Sequence, residues 1–302
     1  MPDNFKISKD LNNIRFDRWF KENILNVPNS LLQKLLRKNI IKVNKKKVKS
    51  SLRLKTDDEI TIYNISKYKP TDLKKKITYL PANYEKNKLE DVVIFDNENY
   101  IIVNKPRSIA VQSGTKNLKN IIDILKQTKY FINSKPYIVH RLDKETSGVM
   151  IVAKNKSYAQ FFTSLFRLRK IHKTYIALVK GSFSSDIKKM EDLLKYEERN
   201  KKIFLKAITG VRILKKNDNY SLLELNPITG RKHQLRRQLF LRGFPVIGDN
   251  KYNIVNKKKF YNKNQNMLLH AYKIKYMKND KKFTYTAKFD FNFQEKIDLY
   301  FR

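Results

Sequence analysis

At 302 residues, 41% of them hydrophobic, the chain is long enough for one packed domain of ordinary size with a smaller module beside it. With 66 Lys and Arg against 28 Asp and Glu it carries a net charge of +38, which favours polyanionic partners, nucleic acid first and anionic membrane second. The absence of cysteine excludes disulfides and thiolate metal sites, no apolar run approaches a bilayer span, and Met1 to Lys9 lacks the apolar core of a signal peptide, so the expectation is a cytoplasmic, monomeric protein acting on nucleic acid away from any membrane.

Residues 12–63 read as a compact unit. Phe16, Trp19, Phe20 and Ile24 recur at helical spacing, with Asn12 and Asn13 as caps. Pro28-Asn29-Ser30 opens a second helix through Leu31, Leu32, Leu35 and Leu36, where Ser30 and Gln33 have the spacing of a capping box. Ile40, Ile41 and Val43 then lead through Asn44-Lys45-Lys46 to Val48, the pattern of a hairpin, and Ile60 and Ile62 close the unit as a strand. Between Leu31 and Lys55 there are ten Lys and Arg and no acid, which predicts one positive surface with Arg37, Lys38 and Lys45 as contacts to RNA. A charged face with no partner is the bland alternative. Residues 64–90, with Pro70, Pro81 and the run Lys74-Lys75-Lys76, read as a linker.

From Asp91 to Arg302 the pattern is that of an α+β domain. Val92 to Phe95 and Tyr100 to Val103 flank Asp96-Asn97-Glu98-Asn99 as a hairpin, and strands are predicted at 149–153, 175–179, 221–225, 268–274 and 283–289. Helices are predicted at 118–126 and 157–166. No regular strand–helix alternation runs through the segment, so a mostly antiparallel sheet is expected.

His140-Arg141-Leu142-Asp143 with Thr146-Ser147-Gly148 sits in a loop before the strand at 149–153. Taken alone, Asp143 is either a turn residue that caps its own loop or a nucleophile kept ionised by neighbouring cations. Two later stretches bear on the choice: residues 146–185 and 225–248 contain no Asp or Glu, which suits a phosphate-lined cleft. In the first, alternation puts Lys173, Tyr175, Ala177 and Val179 on one face of a strand, so an aromatic ring shares its side with a cation. The four histidines, His140, His172, His233 and His270, have neither finger nor helix spacing between them, so no metal site is expected. His140 and His233 are instead candidates for orienting backbone or neighbouring side chains.

In order, Asn104-Lys105-Pro106, the His140 to Gly148 motif, Lys173-Thr174-Tyr175, Gly230-Arg231-Lys232-His233-Gln234-Leu235-Arg236, Gly248-Asp249 with Tyr252, and Leu269-His270-Ala271 resemble the RluA-type pseudouridine synthases over about residues 90–290. Val111-Gln112 departs from the Val-His of many members. The segment Arg15 to Phe20, Pro28, Ser30, Val43-Asn44 and Asp58 to Ile60 resembles the S-four-type (alpha-L) RNA-binding module. These resemblances imply a pseudouridine synthase fold, α+β with a mostly antiparallel mixed central sheet and a basic catalytic cleft, preceded by a small RNA-binding module. They imply that Asp143 attacks a flipped-out uridine, that Arg231 pairs with Asp143, that Tyr175 stacks on the base and that Leu235 lines its other side. Arg141 would enter the RNA, with His140 and Lys173 as further substrate contacts. A redox-neutral isomerisation needs no cofactor. Large-subunit ribosomal RNA is the expected substrate, with transfer RNA the alternative among enzymes. A non-catalytic RNA-binding assembly factor and a metal-dependent nuclease are the rival classes.

Overall fold

The computed structural model describes residues 2–68, 79–113, 119–198, 201–255, 258–259 and 266–302, arranged as two compact units, Met1–Ile77 and Thr78–Arg302. Pro70, the run Lys74-Lys75-Lys76 and the expected helix start at Leu118 lie outside the described residues.

In the first unit, β1 (Asp3–Lys6), α1 (Phe16–Asn23), α2 (Asn29–Arg37), β2 (Ile41–Val43) and β3 (Glu59–Ile62) form two helices and a three-stranded antiparallel sheet in the order β1-β3-β2. The helical spacing read from the sequence buries Phe16, Trp19 and Phe20 from α1 and Leu32, Leu35 and Leu36 from α2 against Ile41, Val43, Ile60 and Ile62. Three local expectations are corrected. Arg15, not Asn12 or Asn13, stands at the N-cap of α1; Asn13 instead takes a positive φ of 67°. Pro28 precedes α2 as its N-cap, so Ser30 lies inside the first turn and does not cap it. The turn at Asn44-Lys45 forms with both residues at positive φ, as a tight hairpin turn demands, but β2 takes β3 as its partner and only a single Val43–Lys46 bridge forms across the turn. The unit also starts earlier than residue 12, because β1 pairs with β3 along its length.

The second unit begins within the expected linker. Residues Asn83–Glu90 form α3, which buries Leu89 in the core and tucks Glu85 against the Tyr79 hydroxyl and the Lys119 ammonium. The hairpin β4 (Val93–Asp96) and β5 (Tyr100–Lys105) follows, then α4 (Ile121–Leu125), β6 (Tyr137–Ile138), β7 (Ser147–Ala153), α5 (Lys156–Arg167), β8 (His172–Lys180), β9 (Lys189–Glu198), β10 (Lys201–Lys216), β11 (Tyr220–Pro227), α6 (Gln234–Leu241), the pair β12 (Ile254–Val255) and β13 (Lys258–Lys259), β14 (Leu269–Lys278), β15 (Lys281–Thr286) and α7 (Phe291–Tyr300). A ten-stranded sheet runs β4-β5-β7-β14-β8-β11-β10-β9, with β15 added to β14 and β6 to β7. Every pairing in it is antiparallel except β7 with β14, so the sheet is mixed and mostly antiparallel.

Alternation along the strands sorts the core onto two faces. Ala177 and Val179 of β8 pack with Leu235 and Leu239 of α6, whereas Ile176 and Leu178 pack with Phe293 and Ile297 of α7. Tyr175 belongs to the first set and also touches the cluster of Met150, Val152 and the α4 residues Ile121 and Leu125. The parallel contact of β7 with β14 is short, Ser147 and Gly148 against His270 and Ala271. There Gly148 has a φ of 112°, and a Cβ on it would lie 2.2 Å from the Ala271 carbonyl oxygen. Only glycine lets these two backbones meet.

Candidate active site

The loop before β7 is fixed on both sides of its acid. His140 Nε2 accepts the Ile151 N–H at 2.9 Å, and the ring stacks on Phe166. A nitrogen that accepts a backbone N–H cannot carry a proton, and burial pushes His140 down to about 3. His140 therefore acts as a neutral strut for the loop although it borders the cleft. Leu142 is buried in the core, and the Thr146 N–H closes a turn onto the Asp143 carbonyl at 3.1 Å. Beneath the turn lies Lys105, wholly buried, with Nζ donating to the carbonyls of Pro106, Ile109 and Lys144 at 2.8, 2.9 and 3.1 Å. Burial pulls Lys105 down to about 7, against the charges of Glu145 and Asp143. On the strand beside it, His270 Nε2 is 3.1 Å from the Ala287 carbonyl, which can only accept, so Nδ1 takes the Ser147 hydroxyl at 2.8 Å.

The opposite wall comes from α6 and the loop before it. His233, at a positive φ of 52°, ends the loop and starts the helix. Gln234 closes the loop over itself: its Oε1 accepts the Thr229 hydroxyl at 2.7 Å and the Arg231 N–H at 3.0 Å, while Nε2 donates to the Ile208 carbonyl at 3.1 Å. One turn on, Gln238 accepts the Thr209 hydroxyl and donates to Asp192. These glutamines add hydrogen bonds to β10 beside the apolar packing of Leu235 and Leu239.

Arg236 on this helix reaches Asp143. Its Nη1 donates to Asp143 Oδ2 at 3.2 Å, while Nε and Nη2 form a two-pronged pair with Asp249 at 2.6 and 2.7 Å. Asp249 is 1% exposed and also accepts the N–H groups of Lys251 and Tyr252. Burial opposes the charge on both partners, and their hydrogen bonds and mutual attraction outweigh it: Asp249 is held below the usual carboxyl range and Arg236 is raised. Tyr252 places its ring against the Arg236 guanidinium, 5.1 Å to the centroid, and its hydroxyl 2.9 Å from His233 Nδ1. His233 Nε2 lies 3.7 Å from Asp143 Oδ1, and burial pushes that imidazole towards its neutral form.

The expected pairing of Arg231 with Asp143 is corrected here. Arg231 precedes the helix and turns towards β10, where its Nε donates to the Lys206 carbonyl at 3.1 Å; Arg236, five residues on and carried by α6, is the guanidinium beside Asp143. The acid-free run at 225–248 held a signal for this, since the Asp249 that ends it is a buried acid needing a cation. The sequence reading gave no role to Arg236, to Lys105 beneath the turn, or to Arg167 and Arg169 at the end of α5.

A cleft of about 540 Å³ lies between the two walls. Of the sequence-predicted residues, Asp143, Tyr175, Arg141, His140, Lys173, Arg231 and Leu235 all border it. Six Arg and Lys line it (Arg141, Arg167, Arg169, Lys173, Arg231, Arg236) against one acid, Asp143, whose side chain is 28% exposed. Tyr175 is half-buried, and burial, reinforced by the charge of Asp143, pushes its hydroxyl well above the usual range, so it stays a neutral ring. Arg37, Lys38 and Lys45 belong to the first unit and are exposed there. Among the described residues, no group of three or more His, Asp or Glu could hold a metal ion, and no helix is long and apolar enough to cross a membrane.

The mixed sheet with one carboxylate set in a basic cleft belongs to a class that the comparisons identify: residues 99–240 match the family model described as RNA pseudouridylate synthase, and the chain belongs to that family. It is 31% identical over 309 residues to ribosomal large subunit pseudouridine synthase C of Buchnera aphidicola, covering 97% of this chain and 95% of the relative. The synthase C of Haemophilus influenzae is 29% identical over 305 residues, covering 94% and 90%. Among solved structures, human RNA Pseudouridylate Synthase Domain Containing 4 shares the fold with a TM-score of 0.61 at 24% identity, over 72% of this chain and 95% of that one.

Proposed function

We propose that this enzyme converts uridines of large-subunit ribosomal RNA to pseudouridine with Asp143 as the nucleophile. The observation that carries the reading is that Asp143 is the one acid in a cleft lined by six Arg and Lys, with the Arg236 guanidinium 3.2 Å away as a fixed counter-charge. A single carboxylate set among cations repels phosphates and has no use in a protein that only binds RNA. The ribosomal substrate rests on the names of the relatives that match nearly the whole chain.

The target uridine is extruded from its stack into the cleft, at a cost of about a few kcal/mol. Tyr175 supports one face of the base, Leu235 lines the other, and Arg141 at the exposed rim takes the place the base has left. Asp143 then attacks the nucleotide, at the sugar or at the ring. The bond from C1′ to N1 breaks, the base turns, C5 bonds to C1′, the bond to Asp143 breaks to return the carboxylate, and the proton from C5 is lost as N1 gains one. The net change is an isomerisation, and Arg236 stabilises the carboxylate before attack and after release. On the first unit, the exposed Arg37, Lys38 and Lys45 contact RNA phosphates as an S-four-type module.

Asp143→Asn keeps the shape of the side chain and removes its charge. The expected outcome is RNA affinity within about threefold of wild type and no pseudouridine in large-subunit RNA from a strain carrying only the variant. Modification at the wild-type rate would show that Asp143 is not the nucleophile, and modification confined to transfer RNA would reassign the substrate.

A further inference from the structure

Helix α5 ends in a motif that ordinarily takes glycine. The Lys170 N–H bonds back to the Leu165 carbonyl at 2.9 Å and the Leu168 N–H to the Ser164 carbonyl at 2.9 Å, with Arg169 between them at a φ of 56°. At this position a left-handed residue closes the helix, and glycine adopts that conformation without the steric penalty a side chain brings. An arginine here carries a conformational cost, and what its side chain gains in return is a place on the wall of the active-site cleft. Two readings compete. One is that the cation complements the partial negative charge of the helix C-terminus. The other is that the cleft needs it.

The neighbours favour the cleft. Arg169 and Lys173 repel one another, and burial together with this repulsion lowers the Lys173 ammonium. Neither has an acid or a hydrogen-bond acceptor within reach among the described residues, although Lys173 is half-buried. Gly230 leaves room beside the ammonium, since a Cβ there would lie 3.9 Å from Lys173 Nζ. Arg236 is already held by two carboxylates and Arg231 by a carbonyl, so these cations cannot serve as freely. Arg169 is exposed to solvent and Lys173 half-buried, and two like charges gathered on the wall of a cleft without an anion of the protein's own suit one from the ligand.

We propose that Arg169 and Lys173 form a subsite for a backbone phosphate of the extruded nucleotide, so that the strained arginine is retained for substrate binding at the expense of fold stability. This rests on the reading of the cleft as a uridine pocket. It assigns the flipped nucleotide two independent grips: the base against Tyr175 and Leu235, and a phosphate across the end of α5. The phosphate would order both side chains and relieve the repulsion between them.

The test compares the full-length wild type with Arg169→Gly, using uridine 3′,5′-bisphosphate and uridine as probes, with binding followed by NMR and melting by calorimetry. Wild type should bind the bisphosphate about tenfold or more tightly than the nucleoside, the size expected of a charge-assisted contact. Arg169→Gly should lose most of that preference, keep its affinity for uridine within about twofold, and melt roughly 2–4 °C higher because glycine suits the site. Lys173→Met should lose the same preference. The proposal is overturned if Arg169→Gly keeps the wild-type preference, if wild type shows none, or if the variant melts lower and loses uridine as well, which is the signature of an arginine kept for the helix end. None of these readouts requires turnover. A wild type that prefers the bisphosphate yet forms no pseudouridine in ribosomal RNA would remove the proposed function and leave the subsite standing.

Discussion

Replacing Asp249 with Asn tests whether the fixed geometry of Arg236 holds the site together. Asp249 is 1% exposed and Arg236 7% exposed, and the two-pronged pair at 2.6 and 2.7 Å is the main contact of that guanidinium. Asparagine can accept at one atom only and turns an NH₂ group towards a cation that also donates. Breaking one side of a buried, hydrogen-bonded pair costs about 3–5 kcal/mol. At about 2–4 °C per kcal/mol for a domain of this size, the transition of the catalytic unit should fall by roughly 6–20 °C in calorimetry at pH 7. The pH dependence has a definite sign. The Asp249 carboxyl is held below its ordinary value of 3.8, so the stability it contributes is complete above that value and lost only as pH falls through its lower value in the folded protein. The gap between wild type and Asp249→Asn should therefore stay constant from pH 7 to about 4 and close below. A drop of less than 2 °C, or a gap that closes between pH 7 and 5, would refute the reasoning. The double variant Arg236→Met/Asp249→Leu removes both charges and should recover most of the melting temperature. It should still form no pseudouridine, because Asp143 has lost its counter-charge; recovered activity would show that Arg236 is not needed there.

Lys105→Met leaves the carbonyls of Pro106, Ile109 and Lys144 without their common donor, next to the turn that carries Asp143, so pseudouridine formation should fall at least tenfold in a single-turnover assay. Because burial lowers Lys105 from 10.5 to about 7, wild-type stability should gain an increment as pH rises across that interval, and the variant should lack it. Burial lowers His140 from 6.5 to about 3 and His270 from 6.5 to about 4, so both favour stability above pH 6.5 and lose that contribution as pH falls; the melting temperature should decline from pH 6.5 towards 4.5, less so in His140→Gln/His270→Gln, and an NMR titration of His140 with a midpoint near 6.5 would contradict its role as a neutral strut. Deleting residues 1–77 should weaken RNA binding and flatten its dependence on salt, since phosphate contacts dominate both; an unchanged salt slope would mean that Arg37, Lys38 and Lys45 have no RNA partner.

The residues that define the site were legible where chemistry and pattern coincide in a short stretch. His140 to Gly148 reads as a loop before a strand, and the alternation around Tyr175 puts it on the cleft face together with Lys173. The pairing of β9 with β10 is not legible in the sequence because its pattern is broken on the outer face, where Leu193 and Phe204 are exposed opposite Lys206 and Lys195. Helix α6 was not recognised as an element because Gln234, Arg236 and Gln238 are buried on it, polar residues whose partners lie on β10 and at Asp249. The same burial of polar side chains hides which arginine of the motif meets Asp143. Spacing within Gly230 to Arg236 gives two guanidinium groups, and only the left-handed turn at His233 decides which of them the helix carries towards Asp143. α3 was read as linker because only Leu89 and Glu85 of its eight residues are buried.

The carboxylate of Asp143 has little freedom to move towards a substrate. Its loop is tied to β7 through His140, to the core through Leu142, to residues 105–109 through the Lys105 ammonium and to α6 through Arg236. Ser147 and Gly148, immediately after it, are pinned to β14 by a contact too close for any other residue at 148. On the proposed mechanism, a loop constrained from so many directions leaves the RNA to do the deforming. The cost of extruding a base, about a few kcal/mol, must then be met by contacts outside the reacting atoms. Arg141, Arg167, Arg169 and Lys173, none of them neutralised by a protein acid among the described residues, line the cleft, and on that proposal they meet this cost. Lost cations on this wall should therefore slow the isomerisation even where Asp143 and Arg236 are untouched, whereas lost cations on the first unit should weaken binding and leave the chemical step alone.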